Sequence, residues 1–213
     1  MNTNRNIDHG RAFDWGRASV DYAKYRDIYP PEFYRRLLDM GLCTKGQAVL
    51  DLGTGTGVLP RNLCRYGASF VGTDISEEQI AQARRLAEEA GLEIAFRCLP
   101  AEETDFPDGS FDVVTACQCF FYFDHALLAP RLSRILKRPG RLAALYMAWL
   151  PGEDPIAAKS EELVQRYNPG WTGGRDPASD RRAGRLRSRF RDGAAGGLRP
   201  AGALHPGGVE RTD

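Results

Sequence analysis

Between Gln47 and Gly57 the chain reads QAVLDLGTGTG, an apolar run that ends in a carboxylate and passes at once into glycines alternating with threonines. Ala48, Val49, Leu50 and Leu52 predict a short buried strand, and the glycines predict a sharp turn into a helix. Gly53, Gly55 and Gly57 have no Cβ, so the backbone there can take positive φ and a ligand can lie against main-chain N–H groups. A bare tight turn uses the same residues and is the alternative reading. The following strand separates the two. Ala68, Phe70 and Val71 lead into Gly72-Thr73-Asp74, which places a carboxylate at the end of the second strand of a right-handed β-α-β unit. A carboxylate in that position can accept hydrogen bonds from both hydroxyls of a ribose. The spacing is G-x-G-x-G and position 58 is Val, so the dinucleotide pattern G-x-G-x-x-G is not met, which argues against a nicotinamide cofactor.

Four stretches, VLDLGTGTG at 49–57, VGTDIS at 71–76, LPAEETDFPDGSFDVV at 99–114 and LKRPGRL at 136–142, occur in the order and at the spacing of one family. Across about residues 13 to 173 the chain resembles the class I S-adenosylmethionine-dependent methyltransferases, in particular the small-molecule branch with the ubiquinone and menaquinone methyltransferases. The resemblance implies an α/β fold, a Rossmann-like doubly wound sheet with S-adenosyl-L-methionine as cofactor and a small-molecule methyl acceptor. It further implies that Asp51 and the loop with Gly53, Thr54, Gly55 and Gly57 hold the methionine part. Asp74 with Ile75 would hold the ribose, Ala101 and Glu102 would lie at the adenine edge, and Cys117 and Gln118 would complete the crevice. The family's usual L-K-P-G-G turn stands here as Leu136-Lys137-Arg138-Pro139-Gly140, a departure at a structural turn.

The order of the elements follows from period and punctuation. Pro30-Pro31 opens a helix through Met40 that Gly41 ends, and Val58 to Tyr66 reads as the first crossover helix. Ser76 with Gln79 forms a capping box, after which Ile80, Ala83, Leu86, Ala87 and Ala90 supply an apolar stripe closed by Gly91. Glu93 to Cys98 is the third strand, Phe111 to Ala116 the fourth, Leu127 to Leu136 a helix and Arg141 to Leu150 the fifth strand. All five are expected to be parallel, and the last two strands of the family's sheet have no counterpart in the sequence.

Two further groups bear on the site. The segment before the first strand holds Tyr22, Tyr25 and Arg26. It resembles the segment that folds over the cofactor in this family, which implies that Arg26 can pair with a carboxylate there; the alternative is that it simply packs a helix onto the domain. Cys117-Gln118-Cys119-Phe120-Phe121-Tyr122-Phe123-Asp124-His125 follows the fourth strand, where residues line the ligand crevice of an open parallel sheet. Phe121 and Tyr122 are candidates for the acceptor pocket, and core packing of two of the four aromatics is the rival assignment. Methyl transfer from a sulfonium needs positioning and a pocket of low polarity more than acid–base help. His125 and Asp124 are the nearest groups should a base be used, and no catalytic residue is assigned.

At 213 residues the chain has room for one such domain. Nine of its 29 Lys and Arg and five of its 28 Asp and Glu fall in residues 174–213, which leaves a body of net charge −3. That gives no electrostatic case for nucleic acid or an anionic membrane as partner. The polar N-terminus and the lack of a long apolar run point to the cytoplasm. Cys43, Cys64, Cys98, Cys117 and Cys119 suit a reducing compartment, and Cys117-x-Cys119 has no second Cys or His pair nearby in sequence, so no metal is expected. The expected organisation is a methyltransferase domain over 1–173, with a cap and helix over 1–46 and a core over 47–173, followed by a tail over 174–213. The tail contains no Lys, Ile, Asn, Tyr, Met or Gln and is rich in Arg, Gly, Ala and Pro. It reads as out-of-frame translation of a GC-rich gene and is expected to be disordered; a genuine Arg/Gly-rich nucleic-acid tail is the rival reading. Two other functions stay open. One is a nicotinamide-dependent oxidoreductase, which the Val58 spacing disfavours; the other is a cofactor-binding remnant without turnover.

Overall fold

The computed structural model describes residues 2–3, 12–14, 16–25, 29–146 and 154–170. The chain divides into two compact units, Met1–Met147 and Ala148–Asp213. The first opens with a two-residue antiparallel ladder of β1 (Asn2–Thr3) and β2 (Ala12–Phe13). A 3₁₀ turn, Gly16–Ala18, then feeds α1 (Ser19–Tyr25). Pro31 occupies the first turn of α2 (Pro31–Asp39), where its missing N–H costs nothing, and Gly41 at φ +70° ends the helix.

The body consists of β3 (Ala48–Leu52), α3 (Val58–Leu63), β4 (Ser69–Asp74), α4 (Glu77–Glu89), β5 (Ala95–Cys98), β6 (Phe111–Cys117), α5 (His125–Ile135) and β7 (Leu136–Leu145). The sheet runs β5-β4-β3-β6-β7 with every pair parallel. Parallel strands must be covered on both faces, and β3 and β6 are accordingly apolar on both. Val49, Leu50, Leu52, Val113, Val114 and Ala116 are fully buried. On one side Leu37 of α2, Leu59 and Leu63 of α3 and Phe70 pack with Val49 and Val113; another cluster joins Ile80, Ala83 and Ala87 of α4 to Phe96 of β5.

The five expected parallel strands are therefore present, and the expected order of crossover helices holds. The fifth strand begins at Leu136 rather than at Arg141. Leu136 already pairs with Phe111, and the register then jumps to Val113 opposite Arg141. The residues between are held by the Lys137 ammonium donating to Asp112 Oδ2 at 2.8 Å. The third strand starts at Ala95, where pairing with Val71 begins. The second unit holds α6 (Pro155–Tyr167), whose start is capped by Asp154 accepting from the N–H groups of Ile156 and Ala157. Met147–Leu150, the expected domain boundary at 173 and the tail from 174 lie outside the described residues. Among the described residues no helix is long and apolar enough to cross a membrane.

Candidate functional site

The sheet order reverses beside β3, so a crevice opens past the carboxyl ends of β3 and β6, where Leu52 and Cys117 stand. The glycine loop turns across it. Gly53, Gly55 and Gly57 have φ of +61°, +56° and +73°, a region that L side chains other than Asn and Asp seldom adopt. Their surroundings differ. A Cβ at Gly53 would meet Cys119 Sγ at 2.7 Å, and one at Gly57 would meet Phe96 at 2.8 Å. These two glycines are required by packing. A Cβ at Gly55 would stand in ordinary van der Waals contact with Gln79 Oε1 at 3.9 Å and Tyr22 Cε1 at 4.0 Å, so at that position the backbone conformation and not a clash calls for glycine.

Two carboxylates organise the loop. Asp51 is 2% exposed and accepts from the Thr54 hydroxyl at 2.7 Å and the Thr115 hydroxyl at 2.6 Å. Burial pushes its carboxyl up to about 6, against the pull of those two hydrogen bonds and with the help of the neighbouring Asp74 charge. Asp74, at the end of β4, accepts from the Gly55 N–H at 2.9 Å and the Ser76 N–H at 3.0 Å. Burial raises it as well, opposed by those backbone donors. A carboxylate oxygen has two lone pairs, so each oxygen of Asp74 keeps acceptor capacity beyond the loop it holds.

Tyr22, Tyr29, Asp51, Gly53, Thr54, Gly55, Thr56 and Cys117 are among the residues around a cavity of about 40 Å³ between α1 and the loop. Thr56 is 1% exposed and its hydroxyl has no hydrogen-bond partner. Leaving a buried hydroxyl unsatisfied costs about 1–3 kcal/mol, so the site is built to receive a polar group. The orphaned Thr56 hydroxyl and the Asp74 carboxylate together fit a ligand with a polar amino-acid end and a ribose.

The other residues expected at the site are placed as follows. Ile75 is exposed beside Asp74, and Ala101 is buried in the 3₁₀ turn Ala101–Glu103. Glu102 reaches across to accept from the Asp124 N–H at 2.7 Å, so one of its oxygens holds the entry to α5. The Cys117 thiol donates to the Tyr29 hydroxyl at 3.3 Å. Gln118, at φ +63°, donates its N–H to Leu145 O at 2.9 Å and thereby ties the ends of β6 and β7. Tyr22 lies over Gly55, whereas Tyr25 is exposed with Lys24 above its ring. Arg26 lies outside the described residues. His125 stacks on Phe120 at 4.8 Å and bonds Phe120 O through Nε2 at 2.8 Å. A carbonyl oxygen only accepts, so Nε2 is the donor in that contact.

Two residues of the crevice, Thr56 and Tyr29, were not singled out from the sequence. Thr56 stood inside the quoted motif as a spacer between glycines. Tyr29 belongs to an aromatic-rich segment in which nothing local marks one ring from the next.

A family model described as a methyltransferase domain matches residues 50–144. A demethylmenaquinone methyltransferase of Thermus thermophilus is 41% identical over 114 residues, which are 52% of each chain. An uncharacterized methyltransferase of Mycobacterium tuberculosis is 30% identical over 181 residues, covering 76% of this chain and 71% of its own. The fold is shared with a candidate S-adenosylmethionine-dependent methyltransferase from Methanococcus maripaludis, with a TM-score of 0.62 at 19% identity over 84% of this chain and 86% of the other. The chain spans about half the length of the Thermus relative.

Proposed function

The chain belongs to the class I S-adenosylmethionine-dependent methyltransferase family, and on that premise we propose that it transfers a methyl group from S-adenosylmethionine to a small-molecule acceptor. The observation that carries the proposal is the glycine-loop cradle, in which the buried Thr56 hydroxyl has no partner and the Asp74 carboxylate is held by the Gly55 N–H. When bound, the cofactor supplies an electrophilic methyl on a sulfonium, and transfer leaves a neutral thioether while the acceptor gives up a proton.

The residues of the chain then have distinct tasks. Asp74, held in place by two backbone N–H groups, accepts from the ribose hydroxyls. Thr54 and Gly55 carry the amino-acid end, and Thr56 offers its hydroxyl to the same polar group. Asp51, buried at the floor, faces the cationic part, and the rings of Tyr22 and Tyr29 close the site against water. A low-polarity surround favours a step in which positive charge disappears. The five cysteines are all free thiols, which supports action in the reducing cytoplasm.

Calorimetric titration of the full chain with S-adenosylhomocysteine, and in parallel with NADH, tests the reading. Saturable binding of the first and none of the second is the expected result. Binding of NADH alone would replace the reading with an oxidoreductase.

A further inference from the structure

α4 and α5 both begin on a side-chain cap and differ in what completes it. At α4 the Ser76 hydroxyl accepts from the Gln79 N–H, so cap and partner belong to one local motif. At α5 the cap is Asp124, whose carboxylate accepts from the N–H groups of Ala126 and Leu127 at 3.0 and 3.4 Å. A full capping box would also return an acidic or amide side chain from the third helical position to the N–H of the cap residue. That position is Leu127, which has no acceptor to offer. The Asp124 N–H instead donates to Glu102 Oε1 at 2.7 Å, a short bond to a charged acceptor, supplied by a residue 22 positions earlier in the chain.

Glu102 stands in the 3₁₀ turn Ala101–Glu103. The Leu99 N–H donates to Asp74 O at 2.9 Å, so this turn leaves β5 beside the carboxylate assigned to the ribose. The body of α5 is tied to the stretch that follows, through Arg131 Nη1 on Thr104 O at 3.4 Å and Arg134 Nη1 on Phe106 O at 2.9 Å. Of these three links, Glu102 is the one that reaches the residue where the helix begins. Just before it lies the 3₁₀ turn Phe120–Tyr122, with Phe120 buried and stacked on His125. Phe121 and Tyr122 are half-buried, with ring centroids 3.8 Å apart. One end of this aromatic turn is fixed by main chain, through the Gln118 N–H on Leu145 O. The other end is fixed by a side chain, and that side chain comes from the ribose side of the crevice.

We propose that Glu102 is a positioning residue that couples the two sides of the crevice. A nucleoside seated on Asp74 steadies the Ala101–Glu103 turn, and Glu102 passes that order on to Asp124 and the aromatic turn. The proposal rests on the methyltransferase reading above and assigns a regulation of that site. A ligand shifts a distant segment only through an interaction that differs between the segment's states, and the Glu102–Asp124 bond is that interaction. The coupling is reciprocal, so whatever orders residues 120–124 also favours the nucleoside side.

Amide exchange read by NMR on the full chain, free and saturated with S-adenosylhomocysteine, tests the coupling. In the wild type, saturation should slow exchange at Tyr122, Phe123 and Asp124 by at least about threefold. Glu102→Gln keeps a carbonyl acceptor and should keep the slowing. Glu102→Asp, one methylene short, and Glu102→Ala should lose it, and Glu102→Asp retains the charge should Glu102→Ala fail to fold. Calorimetry on each variant sets the saturating concentration, so a changed affinity does not enter the comparison. A cap that only supports the fold would speed exchange equally in both states and leave the bound-to-free ratio untouched. An unchanged ratio in the Asp and Ala variants therefore overturns the coupling, and so does its loss in Glu102→Gln. Complete loss of S-adenosylhomocysteine binding in the Asp and Ala variants would make Glu102 a cofactor ligand instead. A wild-type chain that binds S-adenosylhomocysteine without slowing these amides sinks the coupling alone, whereas one that does not bind it removes the methyltransferase reading as well.

Discussion

Thr56 carries a hydroxyl that the fold buries and does not satisfy, and that arrangement has opposite consequences with and without ligand. Thr56→Val keeps the shape and removes the orphaned group. The ligand-free protein should therefore gain about 1 kcal/mol in urea unfolding, while calorimetry should show S-adenosylhomocysteine bound several-fold more weakly. Gly55 makes a similar distinction from its neighbours. Gly55→Val introduces a strained φ where a Cβ meets only ordinary van der Waals contacts, so circular dichroism should report a folded chain and calorimetry a loss of binding of at least about a hundredfold. Gly53→Ala, by contrast, would drive a methyl into Cys119 and disturb the fold itself. Asp51 supplies the pH dependence. Its carboxyl is raised from the ordinary value of 3.8 to about 6, so between those values the native state binds more protons than the unfolded chain. Its contribution to stability is fully present below about pH 4 and declines as pH rises to about 6, by at most about 1.4 kcal/mol per pH unit. A cationic ligand favours the ionised form. Affinity for S-adenosylmethionine should therefore rise as pH passes from 5 to 7, by about tenfold, and Asp51→Asn should flatten that rise in calorimetric titrations.

At the scale of elements, the turn from β4 into α4 does two things with three residues. Asp74 accepts from the Ser76 N–H, and the Ser76 hydroxyl accepts from the Gln79 N–H at 3.3 Å and bonds Glu78 at 2.9 Å. Ser76→Ala removes the cap and leaves the N–H that orients Asp74. Thermal unfolding should show a loss of about 1 kcal/mol, with affinity for S-adenosylhomocysteine unchanged. This turn was legible in the sequence, because Ser76 and Gln79 stand at capping distance before an apolar stripe. The strands β3 and β6 were legible for a related reason, since a buried parallel strand has an apolar residue at nearly every position. The start of β7 was not, because Leu136 pairs one residue before a stretch that breaks the register, and pairing leaves no trace in local pattern. Glu102 shows the same limit at the site. Its bond to the Asp124 N–H spans 22 positions, and nothing near Glu102 announces it. α6 did carry a signal, Asp154 followed by Pro155, which marks a helix start.

In the molecule as a whole the crevice draws on distant parts of the described first unit, with Tyr22 and Tyr29 before the first sheet strand and Cys117 at the end of β6. The glycine loop stands in one contiguous motif and was legible in the sequence, whereas Tyr29 meets it only through the fold. The cap, α1, has a position in time as well as in space. It is made before any strand of the sheet, yet it packs on α4, whose residues follow more than fifty positions later. Of its own residues only Ser19 is buried. A helix with so little of its own surface buried is expected to open locally before the sheet does. Hydrogen exchange should accordingly find the amides of 19–25 the fastest among the helices of this unit, and slowed once S-adenosylhomocysteine is bound. Protection equal to that of β3 in the free protein would contradict this. If the ligand does slow that exchange, its residence is tied to a helix of seven residues rather than to the sheet.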